Sequence, residues 1–324
     1  MAVVALARQV GSGGQSIAAL LAQRMDYGFV GRRELRAIAR ERGLDLPQAF
    51  VDFADEDRLA LDAPDAAGLY LSYGELEFGD ALRGVIQASP TAGSPGSLLD
   101  RMARERRAVF LLVQGLVYEV AAQDRVVLVG GGSQLILAGV PGVLRVKIIA
   151  PEVVRVARLA ASRGLSVEAA RAAVRRGDEE QRSYNRAVFD ADWDDPLLWD
   201  LVINTEHWDV EGVCDVIEGA AHQSYIGGGV TEPVREALAL AGRIDLALHG
   251  EPTLASSIVY AMPQGDGLAL HGETETANQA ERALELARSL AGELPIASQI
   301  VAEPASLTCS SLPERDAPEH WAGD

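Results

Sequence analysis

The stretch VVALARQVGSGGQSIAALLA, residues 3–22, decides how the chain is read. Val3 to Ala7 form a continuous apolar run, the mark of a strand covered on both faces. Gly11, Ser12, Gly13 and Gly14 make a glycine-rich turn. A helix follows, with Ile17, Leu20 and Leu21 on its apolar face. Such a turn brings backbone N–H groups close to an anion, and the helix aims its positive end at the same place. The expectation is a phosphate cradle at a strand-to-helix corner.

Against the Walker A pattern G-x-x-x-x-G-K-[ST], Arg8 stands where the first glycine belongs. Gly14 stands for the lysine, Gln15 for the Ser/Thr, and Ser16 comes one place late. The backbone cradle is kept while the charged parts are missing or moved. A plain strand–turn–helix corner with no ligand is the alternative. A dinucleotide site fits less well: the G-x-G-x-x-G spacing breaks at Ser16, and Gly31 rather than an acid follows Phe29 and Val30.

Apolar runs recur at Val126–Val129, before Gly130–Gly132, at Val143–Ile149 before Pro151, and at Leu198–Thr205. Helical patterns separate them at 151–161, 166–186 and 210–221. Strand–helix alternation of this kind predicts a doubly wound parallel sheet in a three-layer α/β/α sandwich, with ligands at the carboxyl ends of the strands.

Composition narrows the function. The 324 residues carry a formal charge of −18 and 5% aromatics. That balance argues against binding nucleic acid or an anionic membrane surface non-specifically. Two cysteines, Cys214 and Cys309, supply neither a disulfide framework nor a zinc set, so no metal site is expected from them. No run approaches the ~20 apolar residues of a membrane span, and no leader is seen, so the chain is expected in the cytoplasm.

Arginines recur at helical spacing. Arg32, Arg33, Arg36 and Arg40 read as a solvated face, or in part as groups closing over an acidic ligand. A helix is expected over 69–88, a loop at SPTAGSPG, and a long helix over 97–122 with Ser97 as its cap and Arg101, Arg104, Arg106 and Arg107 in its first half. In VRRGDEEQRSYNRAVF, residues 174–189, Arg175, Arg176, Arg182 and Arg186 alternate with acids. Two readings stand: an exposed helix laced with pairs such as Asp178–Arg182, or a lid whose guanidinium forks reach transferring phosphates. Ser166 caps the helix that leads into it.

Taken in order, R-Q-V-G-S-G-G, R-R-E-L, V-L-V-G-G-G, V-K-I-I-A-P-E, G-L-S-V-E-A-A, D-E-E-Q-R-S-Y-N-R and D-A-D-W-D-D-P-L-L-W-D-L-V-I-N-T resemble the cytidylate-kinase-like family, a nucleoside monophosphate kinase branch with a P-loop fold. The likeness covers roughly residues 3–221. It implies phosphoryl transfer from ATP, with Mg²⁺, to a pyrimidine nucleoside monophosphate such as CMP or dCMP. Carried over by position, Arg8, Gly11, Ser12, Gly13, Gly14, Gln15 and Ser16 would bind nucleotide, Arg182 and Arg186 would be catalytic lid arginines, and Asp178 would orient the lid. Asn204–Thr205 would end the last core strand near the base. Two positions depart from the pattern: Gly131 replaces an arginine and Arg32 an aspartate. A degenerate, nucleotide-binding regulator is therefore the rival to an active kinase, and a scaffold without nucleotide is a third possibility.

From Gly227 the pattern changes. A short helix over 232–241, strands at 243–248, 258–262 and 267–276, a helix over 278–292 and a last strand over 295–302 resemble a BON domain, a family associated with small ligands or membrane lipids. The organisation expected is a kinase-like domain 1–224, a flexible joint 225–231, a small α+β BON-like domain 232–303 and a disordered tail 304–324. His249 and His271 read as two unconnected surface histidines rather than a metal pair.

Overall fold

The computed structural model describes residues 2–41, 111–189, 191–223, 226, 228–264 and 267–302. The helix expected over 69–88, the SPTAGSPG loop, the start of the 97–122 helix, Cys309 and the 304–324 tail lie outside the described residues.

Among the described residues, five strands form one parallel sheet: β1 (Val3–Arg8), β2 (Gly28–Val30), β3 (Val126–Val129), β4 (Val143–Ile149) and β5 (Leu201–Asn204). Their order is β2-β3-β1-β4-β5. Val3 pairs with Val126 on one side and Val143 on the other. β3, and not the next strand in sequence, therefore neighbours β1. This excludes the dinucleotide fold, in which the second strand lies beside the first. The doubly wound α/β P-loop sheet is the observed architecture.

Alternation along β1 splits the core into two layers. Val4 and Leu6 face helix α1 (Gly14–Met25) and helix α7 (Val210–Ala221), packing on Ile17, Leu21, Val213 and Ile217. Val3 and Ala5 face the opposite layer, where the helix over 111–121, here α3, covers the sheet with Leu116, Val117 and Tyr118. On the rim of the sheet lie α2 (Arg32–Glu41), the short α4 (Ser133–Ile136), α5 (Glu152–Arg163) and α6 (Val167–Phe189). Ser166 caps α6 as expected, its Oγ accepting from the Ala169 N–H at 3.2 Å.

The C-terminal part differs from expectation at its start. Residues 232–248 form no short helix and strand; Glu232–Gly250 is one helix, α8. Ala237, Leu238, Ala241, Ile244 and Leu248 keep a helical period across Gly242. A side chain at Gly242 would meet the Gly115 carbonyl at 2.6 Å, so the glycine is there to let α8 and α3 approach. Antiparallel β6 (Ile258–Gln264) and β7 (Gly267–Thr274) follow, then α9 (Ala277–Ala291) and β8 (Ile296–Ala302), which runs parallel to β7. One continuous apolar core runs from Val3 and Leu128 through α3 and α8 to Val259, Leu270 and Ala283. His271 is no surface histidine: it is 9% exposed and stacks on Tyr260 at 5.7 Å. Burial also lowers the affinity of His249 for its proton.

Candidate functional site

β1 ends at Arg8, and residues 9–13 turn the chain into α1. Gly11 (φ +78°) and Gly13 (φ +83°) are left-handed, a conformation that favours glycine. The Ser12 N–H closes the turn on the Gln9 carbonyl at 3.1 Å, and the Ile17 N–H makes the first helical bond to Gly13 at 3.1 Å. No side chain caps the helix, and its first turn has no acid. The N–H groups of that turn have no intrahelical acceptor, and their partial positive charge is left for an anion. A Cβ at Gly13 would meet nothing within 4 Å, so the loop is open there.

Gly14, in the Walker lysine position, is closed. A Cβ there would lie 2.6 Å from the Cβ of Arg8, whose aliphatic stem crosses the start of α1. The two departures from the Walker pattern are thus one packing arrangement. Restoring lysine alone, as Gly14→Lys, is expected to lower stability by about 1–3 kcal/mol through overpacking. Arg8→Gly with Gly14→Lys is expected to recover it. Thermal melts of the three proteins check this, and a Gly14→Lys melt equal to the parent's would remove the steric account.

The loop is braced from behind. Arg155 of α5 is 4% exposed; its Nη1 donates to the Val10 carbonyl at 3.3 Å and its Nε to the Ala150 carbonyl at 2.9 Å. It also grips Asp178 of α6 with both Nη groups, at 2.9 and 2.8 Å. Arg158 donates to the Ser12 carbonyl at 3.4 Å and to both oxygens of Thr205. The Thr205 hydroxyl donates to the Ser12 carbonyl at 2.8 Å. Gln9 Oε1 accepts from the Ala150 N–H at 3.2 Å. Carbonyls are turned back into the protein at Val10 and Ser12, an arrangement that suits a loop presenting N–H groups outward.

Helix α6 crosses this loop at Gly177, where a side chain would meet Val10 Cγ2 at 2.5 Å. Asp178 therefore pairs with Arg155 and not with Arg182, the i,i+4 partner the spacing suggests. Arg182 lies one turn further on, half exposed, and its Nε donates to Asp194 at 2.8 Å. Arg186 is exposed one turn beyond that. Gln15 is half-buried and Ser16 exposed at the start of α1. The structure thus gathers Arg8, Gly11, Ser12, Gly13, Gly14 and Asp178 at one corner, and continues the arginines along α6.

A second glycine turn follows β3, with Gly130, Gly131 and Gly132 at φ +76°, +68° and +76°. Arg32 reaches it: its Nε is 3.5 Å from where a Gly130 Cβ would stand. Its charge also acts on Glu180 and Tyr184 of α6. Arg32 is therefore not part of a solvated face, whereas Arg33 and Arg40 are exposed. Burial raises the Glu180 carboxyl above its ordinary value and pushes the Tyr184 phenol up to about 12.

Lys147, Arg155, Arg158 and Asp194 escaped the sequence reading. Lys147 carried a usable signal, a lone lysine inside the apolar run of β4. It is 5% exposed, and burial lowers its affinity for a proton. Arg155 and Arg158 looked like the polar face of an ordinary helix.

A family model described as the cytidylate kinase-like family matches residues 3–207. The chain is 32% identical over 105 residues to a cytidylate kinase of Methanocaldococcus jannaschii, covering 32% of this chain and 58% of that one. It is 29% identical over 93 residues to a cytidylate kinase of Thermococcus kodakarensis, covering 29% and 48%. It thus spans about half the length of the curated relatives it matches. Among solved structures, an uncharacterized protein from Eubacterium ventriosum matches with TM-score 0.44 at 15% identity, over 69% of this chain and 99% of that one. A shikimate kinase from Acinetobacter baumannii, in complex with shikimate, matches with TM-score 0.35 at 14% identity, over 68% and 92%.

Proposed function

Because the chain belongs to the cytidylate kinase-like family, we propose that it transfers the terminal phosphoryl group of ATP to a pyrimidine nucleoside monophosphate, CMP or dCMP. The observation that carries this reading is the glycine loop at the end of β1: braced from behind by Arg155, Arg158 and Thr205, headed by an uncapped helix, and open at Gly13. In it, the backbone from Gly11 to Ser16 holds the donor phosphates, and Arg8 brings positive charge to the corner where the lysine is missing. Arg182 and Arg186 neutralise charge on the transferring group, as guanidinium forks suit phosphoryl oxygens. Asp178, through Arg155, fixes α6 to the loop.

The residues fit a magnesium nucleotide. Mg²⁺ is a hard cation that keeps waters and substrate phosphates as ligands and needs few protein oxygens. The Ser16 hydroxyl is exposed on the first turn of α1, and the buried Ser12 Oγ has no hydrogen-bond partner among the described residues. A bound Mg²⁺ would be held mainly through the nucleotide's own phosphates, with the Ser16 hydroxyl as the candidate protein oxygen, and would supply charge neutralisation during phosphoryl transfer.

For the remainder of the chain we read a kinase-like domain over 1–224, a joint over 225–231 and a BON-like domain over 232–303, whose helix–strand–strand–helix–strand order is what supports that resemblance. Its ligand would be a small molecule or a lipid. No described helix is long and apolar enough to cross a membrane; a cytoplasmic setting goes with the nucleotide reading.

A coupled assay with ATP, Mg²⁺ and each of CMP, dCMP, UMP and AMP tests the proposal. Turnover is expected with a pyrimidine acceptor, and Arg182→Ala is expected to reduce kcat by about 10³-fold. No turnover with any acceptor overturns the kinase reading. The closed Gly14 position favours one second reading, a protein that binds nucleotide without turning it over and reports it through the C-terminal part. Calorimetry showing affinity without turnover would select it, since backbone contacts sustain binding while catalysis needs charge aimed at the transition state.

A further inference from the structure

The acidic, tryptophan-bearing run D-A-D-W-D-D-P-L-L-W-D, residues 190–200, has no part in the proposed chemistry, yet four of its aspartates, Asp192, Asp194, Asp195 and Asp200, are tied to specific places. Asp192 Oδ1 accepts from the Asp194 N–H at 3.1 Å. Asp195 caps a short turn through the Leu197 N–H at 2.9 Å. Asp200 holds Arg145 with both oxygens, at 3.1 and 2.6 Å. Among these four, Asp194 alone joins two cations. Its Oδ2 accepts from Arg182 Nε at 2.8 Å and its Oδ1 from Lys147 Nζ at 3.3 Å.

Lys147 is the anchor of this set. It rises from β4 into an indole box: its Nζ lies 4.6 Å from the Trp193 ring centroid and 5.4 Å from that of Trp199. The two rings meet edge to face at 5.0 Å and 82°. The ammonium also donates to the Trp193 carbonyl at 2.6 Å. A cation buried this far is tolerated only when paired and hydrogen-bonded, and the indole faces add attraction. Burial works to raise the Asp194 carboxyl, but its bond from Arg182 and the Lys147 charge outweigh this and hold it below its ordinary value. Among the described residues, Arg182 is held by the hydrogen bond its Nε gives to Asp194. A guanidinium has five donors in a rigid fork, so the paired Nη groups are left to grip a second anion.

We propose that Lys147 and Asp194 are positioning residues for Arg182, holding its Nε so that its Nη pair is presented to the phosphoryl oxygens of a nucleotide bound at the glycine loop. The claim rests on the nucleotide reading above and adds to it how the arginine is preorganised. A long exposed side chain fixed before the ligand arrives loses less freedom on binding. Lys147 acts from the parallel sheet and Asp194 from the turn that precedes β5, while the helix that carries Arg182 is itself pinned at Asp178.

Calorimetric titration with Mg²⁺-ATP tests it on the full chain, using the parent, Arg182→Ala, Asp194→Asn and the double variant. Arg182→Ala and Asp194→Asn are each expected to weaken binding about tenfold, and the double variant is expected to be no weaker than Arg182→Ala alone, the non-additivity of residues acting as one unit. Lys147→Met supplies a second probe that keeps the volume in the box. It is expected to shift tryptophan emission and to weaken ATP binding severalfold, with no further effect once Arg182 is alanine. If Asp194→Asn or Lys147→Met acts equally in both backgrounds, or leaves affinity unchanged while Arg182→Ala lowers it, the positioning role is overturned and the nucleotide reading survives. If the parent binds no Mg²⁺-ATP at millimolar concentration, the nucleotide reading fails and takes this proposal with it.

Discussion

Arg155→Ala is expected to lower the stability of the protein by about 3–5 kcal/mol, the usual result of breaking a buried ion pair and leaving one partner uncompensated. The same change is expected to remove measurable ATP binding. Arg155 is 4% exposed and makes four hydrogen bonds of known target: two Asp178 oxygens and the Val10 and Ala150 carbonyls. Without it the Asp178 carboxyl loses both hydrogen bonds from Arg155 in a site where its side chain is 14% exposed. The Val10 carbonyl also loses the donor that turns it away from the ligand side of the loop. Arg155→Lys gives an intermediate result, since an ammonium cannot reproduce the two-pronged contact with Asp178. Arg175→Ala is the control: Arg175 pairs with Glu152 at 3.1 Å, but the two side chains are 65% and 40% exposed. Such surface pairs contribute about 0–1 kcal/mol. Urea unfolding and ATP calorimetry on the three variants decide the matter. An Arg155→Ala loss no larger than that of Arg175→Ala would show that the loop does not depend on this brace.

That brace also marks where the sequence stops being readable. The glycine corner and the apolar runs of β3 and β4 were legible because a strand covered on both faces has no polar alternation to hide in. The order of the strands was not, since each run is compatible with any neighbour; only the register of Val3 between Val126 and Val143 sets it. Asp178 illustrates a local rule losing to a tertiary one. At i,i+4 from Arg182 it had a plausible partner worth a few tenths of a kcal/mol, but Arg155 offered a buried two-pronged contact. Gly242 hid α8 for a related reason. A glycine inside a helical pattern reads as a break, and the backbone of Gly115 that calls for it lies more than a hundred residues away in the chain. Arg8 and Gly14 were each seen, as separate departures from a motif. Only packing shows that the stem of one excludes a side chain on the other.

Asp245→Asn is expected to make the protein more stable than the parent at pH 8, and little different from it near pH 4. Asp245 sits on α8, 2% exposed, at the meeting of three elements. Its Oδ1 accepts from the Ala261 N–H of β6 at 2.6 Å and its Oδ2 from Gln114 Nε2 of α3 at 3.1 Å. Burial pushes this carboxyl up to about 8 from an ordinary 3.8; the two hydrogen bonds pull the other way and lose. The folded chain therefore keeps a proton that the unfolded chain releases between those two values. The stabilisation is present in full below about pH 4, is lost as pH rises, and is gone above about pH 8, at up to about 1.4 kcal/mol per pH unit. An asparagine has no proton to lose, so the difference between variant and parent should widen steadily across that window, whatever other groups titrate in both. Urea midpoints at half-unit steps from pH 4.5 to 8.5 measure it, and parallel curves would refute a neutral buried carboxyl here. The position of the group gives the result its reach. α3 covers the parallel sheet on one side and packs α8 on the other, so ionising Asp245 places a charge inside the apolar core that the parallel sheet shares with the C-terminal strands. The joint between those two parts is then expected to loosen first as pH rises, with amide exchange at Ala261 accelerating ahead of exchange in β1.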